Sequence, residues 1–249
     1  MSRETYKAYR SPNHSKGTDN ESLRVKEMFT TIQGEGPLAG EPCVFIRLEG
    51  CNLKCFFCDT DFEDGEIWRV GHIVRKVADM RPEAPLGVKP LVVITGGEPL
   101  AQPIGTLVTS LLGNKYRVQI ETAGTLWTEL PEHPDLDIIC SPKTPKVHPT
   151  LHQRATGWKY LVRALDPVDK DGLPMMKTQG KTAAGDWDPI EGDPPPLAKP
   201  KPHVPVFLQP VEEDNDPRES DRNLAKATRL CLKHGFRLSI QQHKIIGLP

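Results

Sequence analysis

Residues 51–58 read Cys-Asn-Leu-Lys-Cys-Phe-Phe-Cys, and the interpretation of the whole chain starts from this stretch. The three cysteines have a C-x3-C-x2-C spacing, which can bring three thiolates to one metal group. A structural zinc site has four protein ligands, and an electron-transfer iron–sulfur cluster is also held by four cysteines. No fourth ligand lies nearby in the sequence. We therefore expect a catalytic four-iron cluster whose open iron can hold a substrate or cofactor.

The composition indicates a globular protein without a basic surface for nucleic acid. The 249 residues include 32 basic and 33 acidic side chains, for a net charge of −1, whereas nucleic-acid-binding domains usually carry a basic excess. No run approaches the ~18 apolar residues of a membrane span, and no secretory signal is visible. Three of the six cysteines fall within eight residues, which is not the pattern of a disulfide framework. We expect a cytoplasmic protein with no membrane partner.

The hydrophobic pattern predicts strands that alternate with helices. Strand-like patterns occur at 26–32, 43–49, 91–94, 116–120, 136–139, 158–162, 204–208 and 237–242. Helical spacing occurs at 70–80, 104–112 and 218–234. Such alternation predicts parallel βα units in a barrel or an open sheet.

The domain organisation follows from the two segments that break this alternation. Residues 1–22 are polar and predict a disordered N-terminal tail, so the core domain is expected to span 23–249. Residues 166–202 contain eight prolines and predict an irregular insertion, either a lid or a disordered loop.

Unusual polar residues follow the predicted strands at their carboxyl ends. The cysteine stretch follows 43–49, Thr95-Gly96-Gly97-Glu98-Pro99 follows 91–94, and Ser141-Pro142-Lys143 follows 136–139. In parallel βα folds, the chemistry gathers at this edge of the sheet. We expect these clusters to form one site.

The order of the motifs resembles that of the radical S-adenosylmethionine (SAM) superfamily. The resemblance implies a trimmed, partial (open) TIM-like βα barrel of the α/β class. Cys51, Cys55 and Cys58 would bind one 4Fe–4S cluster, and SAM would chelate the open iron. The glycines of Gly96-Gly97-Glu98-Pro99 would let the backbone approach the methionyl end of SAM.

Within this superfamily, several segments resemble the 7-carboxy-7-deazaguanine synthases. These segments are FTTIQGEGPLAGEPCVFIRLEGCNLKCFFCDTDF, VITGGEPL, ETAGT, CSPK, QP at 209–210 and QQHKIIGLP. The resemblance implies a Mg2+-dependent carbon–nitrogen lyase, which contracts the ring of 6-carboxy-5,6,7,8-tetrahydropterin and expels ammonia. Its product, 7-carboxy-7-deazaguanine, belongs to the pathway to queuosine, a tRNA modification. A homodimer and an external electron donor such as flavodoxin are also implied.

The resemblance assigns roles to individual residues, none of them as a side-chain acid or base, because the chemistry comes from the SAM-derived radical. Thr60 would ligate Mg2+, and Arg47 would pair with the substrate carboxylate. The residues that would contact SAM are Phe57, Cys58, Asp59, Gly97, Glu121, Ser141, Pro142, Lys143 and Gln209. The residues that would contact the pterin are Ile32, Gln33, Gly34, Glu35, Arg47, Thr95, His243 and, through its terminal carboxylate, Pro249.

Two other functions stay open at this point. A radical SAM activase that installs a glycyl radical on a partner protein has the same cysteine spacing, although Gln33-Gly34-Glu35, Arg47 and the His-Lys-Ile-Ile-Gly-Leu-Pro tail favour a small pterin. From a different class, a zinc-stabilised binding module could complete its site with a residue such as His72. Cys43, Cys140 and Cys231 are predicted to be small core residues in each case.

Overall fold

A computed structural model describes residues 19–55, 57–58, 60–83, 85–175, 194–213 and 216–249. Three predictions lie wholly or partly outside these ranges. They concern residues 1–18 of the N-terminal tail, Asp59, and residues 176–193 of the proline-rich insertion.

The described residues form nine strands in one sheet and five α-helices. The strands are β1 (Ser22–Ile32), β2 (Pro42–Leu48), β3 (Glu66–Arg69), β4 (Leu91–Gly96), β5 (Arg117–Thr122), β6 (Leu136–Cys140), β7 (Gly157–Val162), β8 (Val206–Pro210) and β9 (Arg237–Leu238). The helices are α1 (Val70–Met80), α2 (Gly105–Gly113), α3 (Pro149–Arg154), α4 (Pro217–His234) and α5 (Gln242–Ile245).

The sheet is open and mixed, with the order β3-β1-β2-β4-β5-β6-β7-β8-β9. β1 pairs antiparallel with both β2 and β3, and every pair from β2 to β9 is parallel. Because β3 and β9 are the two edges, the sheet does not close into a barrel. The predicted α/β class and partial barrel are therefore confirmed.

The sheet curves enough for its two ends to meet through loops. The 3-10 turn after β1, Gly36–Leu38, contacts β7. The amide of Gly36 donates to the Ser239 hydroxyl at 2.9 Å, and the amide of Gln242 donates to the Gly34 carbonyl at 3.2 Å. The concave face that results is where the site lies.

The two faces of the sheet differ in character because side chains alternate along each strand. Val44, Ile46 and Val92 point to the convex face and pack with α1 and α2 in the main core. On the concave face, a small cluster of Leu38, Cys43, Leu91 and Val93 is separate from that core. The remaining concave positions include polar side chains, described below.

Helix ends follow local sequence signals. In α4, the Asp216 side chain accepts hydrogen bonds from the amides of Arg218 and Glu219, both at 3.1 Å, and Pro217 takes the first helical position. Gly235 ends the helix with a φ of 74°, as the sequence predicted. In α1, Ile73 and Val77 form the fully buried stripe that holds the helix on the sheet.

The proline-rich insertion forms the connection from β7 to β8. Parallel neighbouring strands need a crossover, which is usually a helix, but its described part, 163–175 and 194–205, contains no helix. Leu173, Leu197 and Ala198 are nonetheless buried in the main core, and the Tyr160 hydroxyl donates to the Ala198 carbonyl at 2.7 Å. The described part is irregular, as predicted, and it covers the sheet where a helix would otherwise pack.

The strand predicted at 237–242 is wrong beyond its first two residues, because β9 ends at Leu238 and Gln242 begins α5. The tail turns away there since Ser239 and Gln242 bond to the loop after β1. The sequence also gave no sign of the edge strand β3 or of α3, and β1 begins at Ser22 rather than at Lys26. No helix in the described ranges combines the length and apolar character that crossing a membrane requires.

Candidate active site

The cysteine loop begins three residues after the end of β2, at the carboxyl edge of the parallel strands. Cys51 and Cys55 are half-buried, and Cys58 is exposed. Burial raises the pKa of the Cys51 thiol to about 12 and that of the Cys55 thiol to about 11. The nearby positive charge of Lys143 opposes this effect at Cys55. The exposure of the three cysteines thus increases along the loop, from half-buried at Cys51 and Cys55 to exposed at Cys58.

Gly96 and Gly97 lie directly against the start of this loop. A Cβ at position 97 would fall 2.1 Å from the Gly50 carbonyl oxygen and 2.7 Å from the Cys51 Cβ. At position 96, a Cβ would fall 2.2 Å from the Leu48 oxygen, and φ is +145°, a conformation that favours glycine. The sequence explained these glycines by the approach of SAM, whereas the structure gives them a packing role between two strand ends.

Glu98 joins two of the strand-end loops. Its carboxyl group is fully buried and accepts hydrogen bonds from the Leu100 amide (3.0 Å), the Thr122 hydroxyl (2.6 Å) and the Ala123 amide (2.8 Å). Burial raises the pKa of Glu98, against these hydrogen bonds, which lower it. The bond from Leu100 caps the 3-10 turn Pro99–Ala101. The bonds from Thr122 and Ala123 hold the loop after β4 against the loop after β5.

Further contacts brace the cysteine loop from the β5 and β6 side. The Asn52 side chain is buried and donates to the Thr125 hydroxyl at 2.9 Å. After β6, the Lys143 ammonium donates to the Ser141 hydroxyl at 2.6 Å and to the Ser141 carbonyl at 2.8 Å. Burial lowers the pKa of Lys143, and its charge interacts with Cys55. Lys143 therefore lies beside the cysteine loop.

A network of charged and amide side chains occupies the concave face around Glu35. Lys159 forms an ion pair with Glu35 Oε2 and approaches Glu121 Oε2 at 3.9 Å. The side-chain amides of Gln209 and Gln241 donate to Glu35 Oε1 at 3.0 and 2.8 Å. Burial would raise the pKa of Glu35, but the charge and hydrogen bond of Lys159, the hydrogen bond from Gln241 and the charge of His243 lower it to about 2. Glu35 is therefore an ionised, well-anchored acceptor.

Gln33 connects this network to β5. Its side-chain amide donates to Glu121 Oε1 at 3.1 Å, and its side-chain oxygen accepts from the Glu35 amide at 3.1 Å. Gln119 also donates to Glu121 Oε1 at 3.1 Å. Glu121 and Gln209, which the resemblance assigned to SAM, thus lie in the same network as Glu35.

The C-terminal tail covers the loop after β1. A Cβ at Gly34 would fall 1.9 Å from His243 Nδ1, so the histidine ring lies directly on this glycine. The Thr31 hydroxyl donates to the Pro249 carbonyl oxygen at 2.9 Å. The structure therefore brings together four of the predicted pterin residues: Gln33, Gly34, Glu35 and His243. Through this bond Pro249 lies beside β1, and Ile32 is half-buried at the end of that strand.

Arg47 and Thr95 are paired neighbours on β2 and β4. Arg47 Nε donates to Glu27 Oε1 at 2.6 Å, and its guanidinium carbon lies 5.7 Å from the centre of the Phe29 ring. Arg47 thus forms an ion pair with Glu27, a contact that would also suit a purely structural role on the strand. This ion pair is made through Nε.

The remaining predicted residues lie on or near the same edge. Phe57 packs against the main core, Pro142 is buried, and Thr60 is half-buried. The Thr60 carbonyl lies 3.8 Å from Cys58 Sγ. Asp59 lies outside the described residues.

The geometry does not favour a zinc site completed by His72. This histidine is exposed on α1, where it lines a surface hollow with Ile67, Trp68, Arg75, Lys76 and Asp79. In the described ranges, no group of three or more His, Cys, Asp or Glu side chains is arranged to hold a single metal ion. Cys43, Cys140 and Cys231 are buried, as predicted for core residues.

Sequence reasoning missed three members of the Glu35 network: Lys159, Gln119 and Gln241. Lys159 had a detectable signal, since it is a lysine in the otherwise apolar strand Gly157–Val162. Its neighbours Trp158 and Tyr160 are fully buried on the convex face, so alternation places Lys159 on the concave one. Gln119 follows from the same reasoning, whereas Gln241 had no signal because its segment was predicted as a strand.

Comparison with known proteins agrees with this site. Residues 45–139 match the Radical SAM superfamily. Together with the open βα sheet and the three-cysteine loop, this match defines the chain as a radical SAM enzyme.

Curated relatives identify the family more closely. The 7-carboxy-7-deazaguanine synthase of Rhodospirillum rubrum is 44% identical over 92% of this chain and 94% of its own length. That of Rickettsia prowazekii is 38% identical over 92% and 90%. The crystal structure of QueE from Escherichia coli shares the fold, with a TM-score of 0.58 and 24% identity over 88% of this chain and 94% of that one. The chain belongs to the 7-carboxy-7-deazaguanine synthase family, a family of lyases.

Membership of the superfamily implies a 4Fe–4S cluster and SAM. The donor set fits a thiolate-held cluster, because three thiols share one loop at the carboxyl edge of β2. The other three cysteines are buried elsewhere in the described core. The residues present are therefore compatible with the cluster.

Proposed function

We propose that this chain converts 6-carboxy-5,6,7,8-tetrahydropterin to 7-carboxy-7-deazaguanine with loss of ammonia, in the pathway to queuosine. The observation that carries the proposal is the Glu35 network on the concave face, because it offers an anchored carboxylate to the N–H donors of a pterin. Lys143 interacts electrostatically with both Glu35 and Cys55, which supports a single site that includes the cysteine loop. The names of the curated relatives support the same reaction.

Cys51, Cys55 and Cys58 would hold one 4Fe–4S cluster, and the residues beside them would hold SAM. The bound cluster and SAM together supply the radical chemistry. Phe57, Asp59, Gly97 and Ser141-Pro142-Lys143 would form the SAM side of the site. Glu121 and Gln209 would lie between SAM and the pterin, since both join the Glu35 network.

The substrate would be held at both of its polar ends. Glu35 would accept hydrogen bonds from the aminopyrimidinone ring, and Gln33 would lie beside it. The terminal nitrogens of Arg47 would bind the carboxylate in a bidentate manner, while Glu27 and Phe29 hold the guanidinium in place. Thr95, Ile32, His243 and Pro249 would enclose the ring. These residues bind and orient the substrate, and none of them is required as an acid or base.

The proposal also includes a magnesium ion, a cytoplasmic homodimer and an external electron donor. Thr60 would ligate Mg2+ through its hydroxyl, a hard oxygen ligand, on a residue whose backbone carbonyl lies 3.8 Å from Cys58 Sγ. The enzyme would work in the cytoplasm as a homodimer. An external donor such as flavodoxin would supply electrons.

The direct test is anaerobic assay of the reconstituted enzyme. With 6-carboxytetrahydropterin, SAM, Mg2+ and a reductant, we expect 7-carboxy-7-deazaguanine and ammonia in equal amounts. A protein that holds about four irons and cleaves SAM, yet makes no deazapurine, would favour the glycyl-radical activase. One zinc and no iron would exclude both enzymes.

Alanine variants test the cluster ligands. Replacing Cys51, Cys55 or Cys58 should abolish production of 5′-deoxyadenosine from SAM. The matched control is Cys231→Ala, which removes a thiol buried on α4 and should keep the iron. Normal SAM cleavage in any of the three loop variants would show that the assignment is wrong.

Arg47→Ala tests the carboxylate contact. It should weaken substrate binding while leaving iron content and SAM cleavage unchanged. Arg222→Ala is the matched control, because Arg222 has a 69% exposed side chain on α4. Unchanged substrate affinity in Arg47→Ala would mean that the residue only pairs with Glu27.

A further inference from the structure

Lys159 is the charged side chain of the site for which the sequence supplied no role. It lies in β7 with only 7% of its side chain exposed. Burial of an ammonium group is costly unless the charge is paired. Its partners are Glu35, from the loop after β1, and Glu121, from β5. The residue thus connects three separate segments across the concave face.

The hydrogen bonds of Glu35 leave a defined place for a ligand. An ionised carboxylate offers about four lone-pair sites. Within the described residues, three donors occupy three of them: Gln209 and Gln241 at Oε1, and Lys159 at Oε2. The fourth lone-pair site is on Oε2. Because the Lys159 ammonium bonds to the same oxygen, it fixes the direction in which this fourth site points.

We propose that Lys159 is a positioning residue, which keeps Glu35 ionised and directs Oε2 toward the N–H donors of the substrate's aminopyrimidinone ring. This assignment rests on the proposed function. Lys159 acts through Glu35, and its contribution is to binding and orientation. A substrate that lacks the ring N–H and amino donors could not bond to Oε2, so its affinity would not depend on the ion pair of Lys159 and Glu35.

The charges that face Glu35 come from four elements. Lys159 on β7, Lys143 after β6 and His243 on α5 are the basic groups, and Glu121 on β5 is the acidic one. The charge of Lys159 is the strongest influence that lowers the pKa of Glu35. Without it, burial and Glu121 both favour the protonated carboxyl, so substrate affinity should become sensitive to pH.

The test compares Lys159→Met, Lys159→Arg and the control Lys233→Met, an exposed lysine near the end of α4. Each cluster-loaded enzyme is assayed for KM and kcat between about pH 6 and pH 8.5, and substrate binding is measured by anaerobic equilibrium dialysis. We expect Lys159→Met to raise KM on the order of a hundredfold near pH 7, as for removal of one partner of a buried ion pair. The increase should be larger at pH 6 than at pH 8.5, with iron content and SAM cleavage retained.

Lys159→Arg should recover most of the affinity, since it keeps the charge. A pH-independent KM in Lys159→Met, or a KM within threefold of that of the wild type, would overturn the proposal. Should Lys159→Met fail to fold, the pair Glu35→Gln and Glu35→Gln/Lys159→Met replaces it. The proposal expects the double variant to bind no more weakly than Glu35→Gln alone, whereas weaker binding by the double variant would refute it. A wild-type enzyme that forms no deazapurine would instead refute the proposed function, and this assignment with it.

Discussion

Gly97→Ala is the substitution that most directly tests the contact between the loop after β4 and the cysteine loop. The new Cβ would lie 2.1 Å from the Gly50 oxygen and 2.5 Å from the Gly50 carbonyl carbon. An ordinary contact between carbon and oxygen is roughly 3.3 Å, so the two backbones would have to separate by roughly 1 Å. The Glu98 amide donates to the same Gly50 oxygen at 2.8 Å, and the separation would disturb this hydrogen bond.

Overpacking costs about 1–3 kcal/mol, and a weakened buried hydrogen bond adds about 1 kcal/mol. The free energy of unfolding should therefore fall by about 2–4 kcal/mol, which lowers Tm by roughly 5–15 °C in a domain of this size. Anaerobic thermal unfolding followed by circular dichroism measures the change, and iron analysis reports whether Cys51 still binds its cluster.

The matched control is Gly71→Ala in α1, where a Cβ would meet no atom within 4 Å. Alanine is favoured over glycine inside a helix, so this variant should be more stable by about 0.5–1 kcal/mol. If Gly97→Ala melted within 2 °C of the wild type with the same iron content, the close contact at Gly50 would be refuted.

Three other changes have expected outcomes. Gly34→Ala should displace the His243 ring, which a Cβ would approach to 1.9 Å, and raise KM at least about tenfold without loss of iron; a KM within twofold of the wild type would contradict the contact. Tyr160→Phe removes the hydroxyl that donates to the Ala198 carbonyl and should cost about 1–3 kcal/mol in urea unfolding, so an unchanged midpoint would show that this bond does not anchor the insertion. Glu35 has a pKa of about 2, below its usual 4.5. Its stabilising contribution is therefore complete above about pH 4.5 and is lost as pH falls toward 2. Glu35→Gln should accordingly reduce the loss of stability between about pH 5.5 and pH 3, and equal losses in both proteins would contradict this.

The parallel part of the fold could be predicted from sequence because its strands are apolar runs with clear ends. Leu91–Gly96 is such a run, and the structure places the strand where the pattern does. The segment after Gly235 shows the limit of this reasoning. Arg237-Leu238-Ser239-Ile240 alternates like a strand, yet Ser239 and Gln242 bond to a loop about two hundred residues earlier. A contact so distant in sequence leaves no local pattern.

The motifs of the site could be predicted from sequence, whereas the contacts between them could not. The cysteine spacing and the strand-end motifs are local, so they were recognised together with the family. The packing role of Gly97 depends on Gly50, and the ion pair of Lys159 depends on Glu35. Both require knowledge of which strand ends are neighbours, which comes from the sheet order rather than from either motif.

The contacts that close the concave face also predict an order of assembly. Glu35 bonds Gln241 across 206 positions, and Thr31 bonds Pro249 across 218. Contacts of such long separation form late, because chain entropy opposes them until intervening structure exists. During synthesis, the cysteine loop and the strands around it can fold while residues 239–249 have not yet been made. The pterin side of the enzyme should therefore be completed last, after a nascent chain can already bind iron.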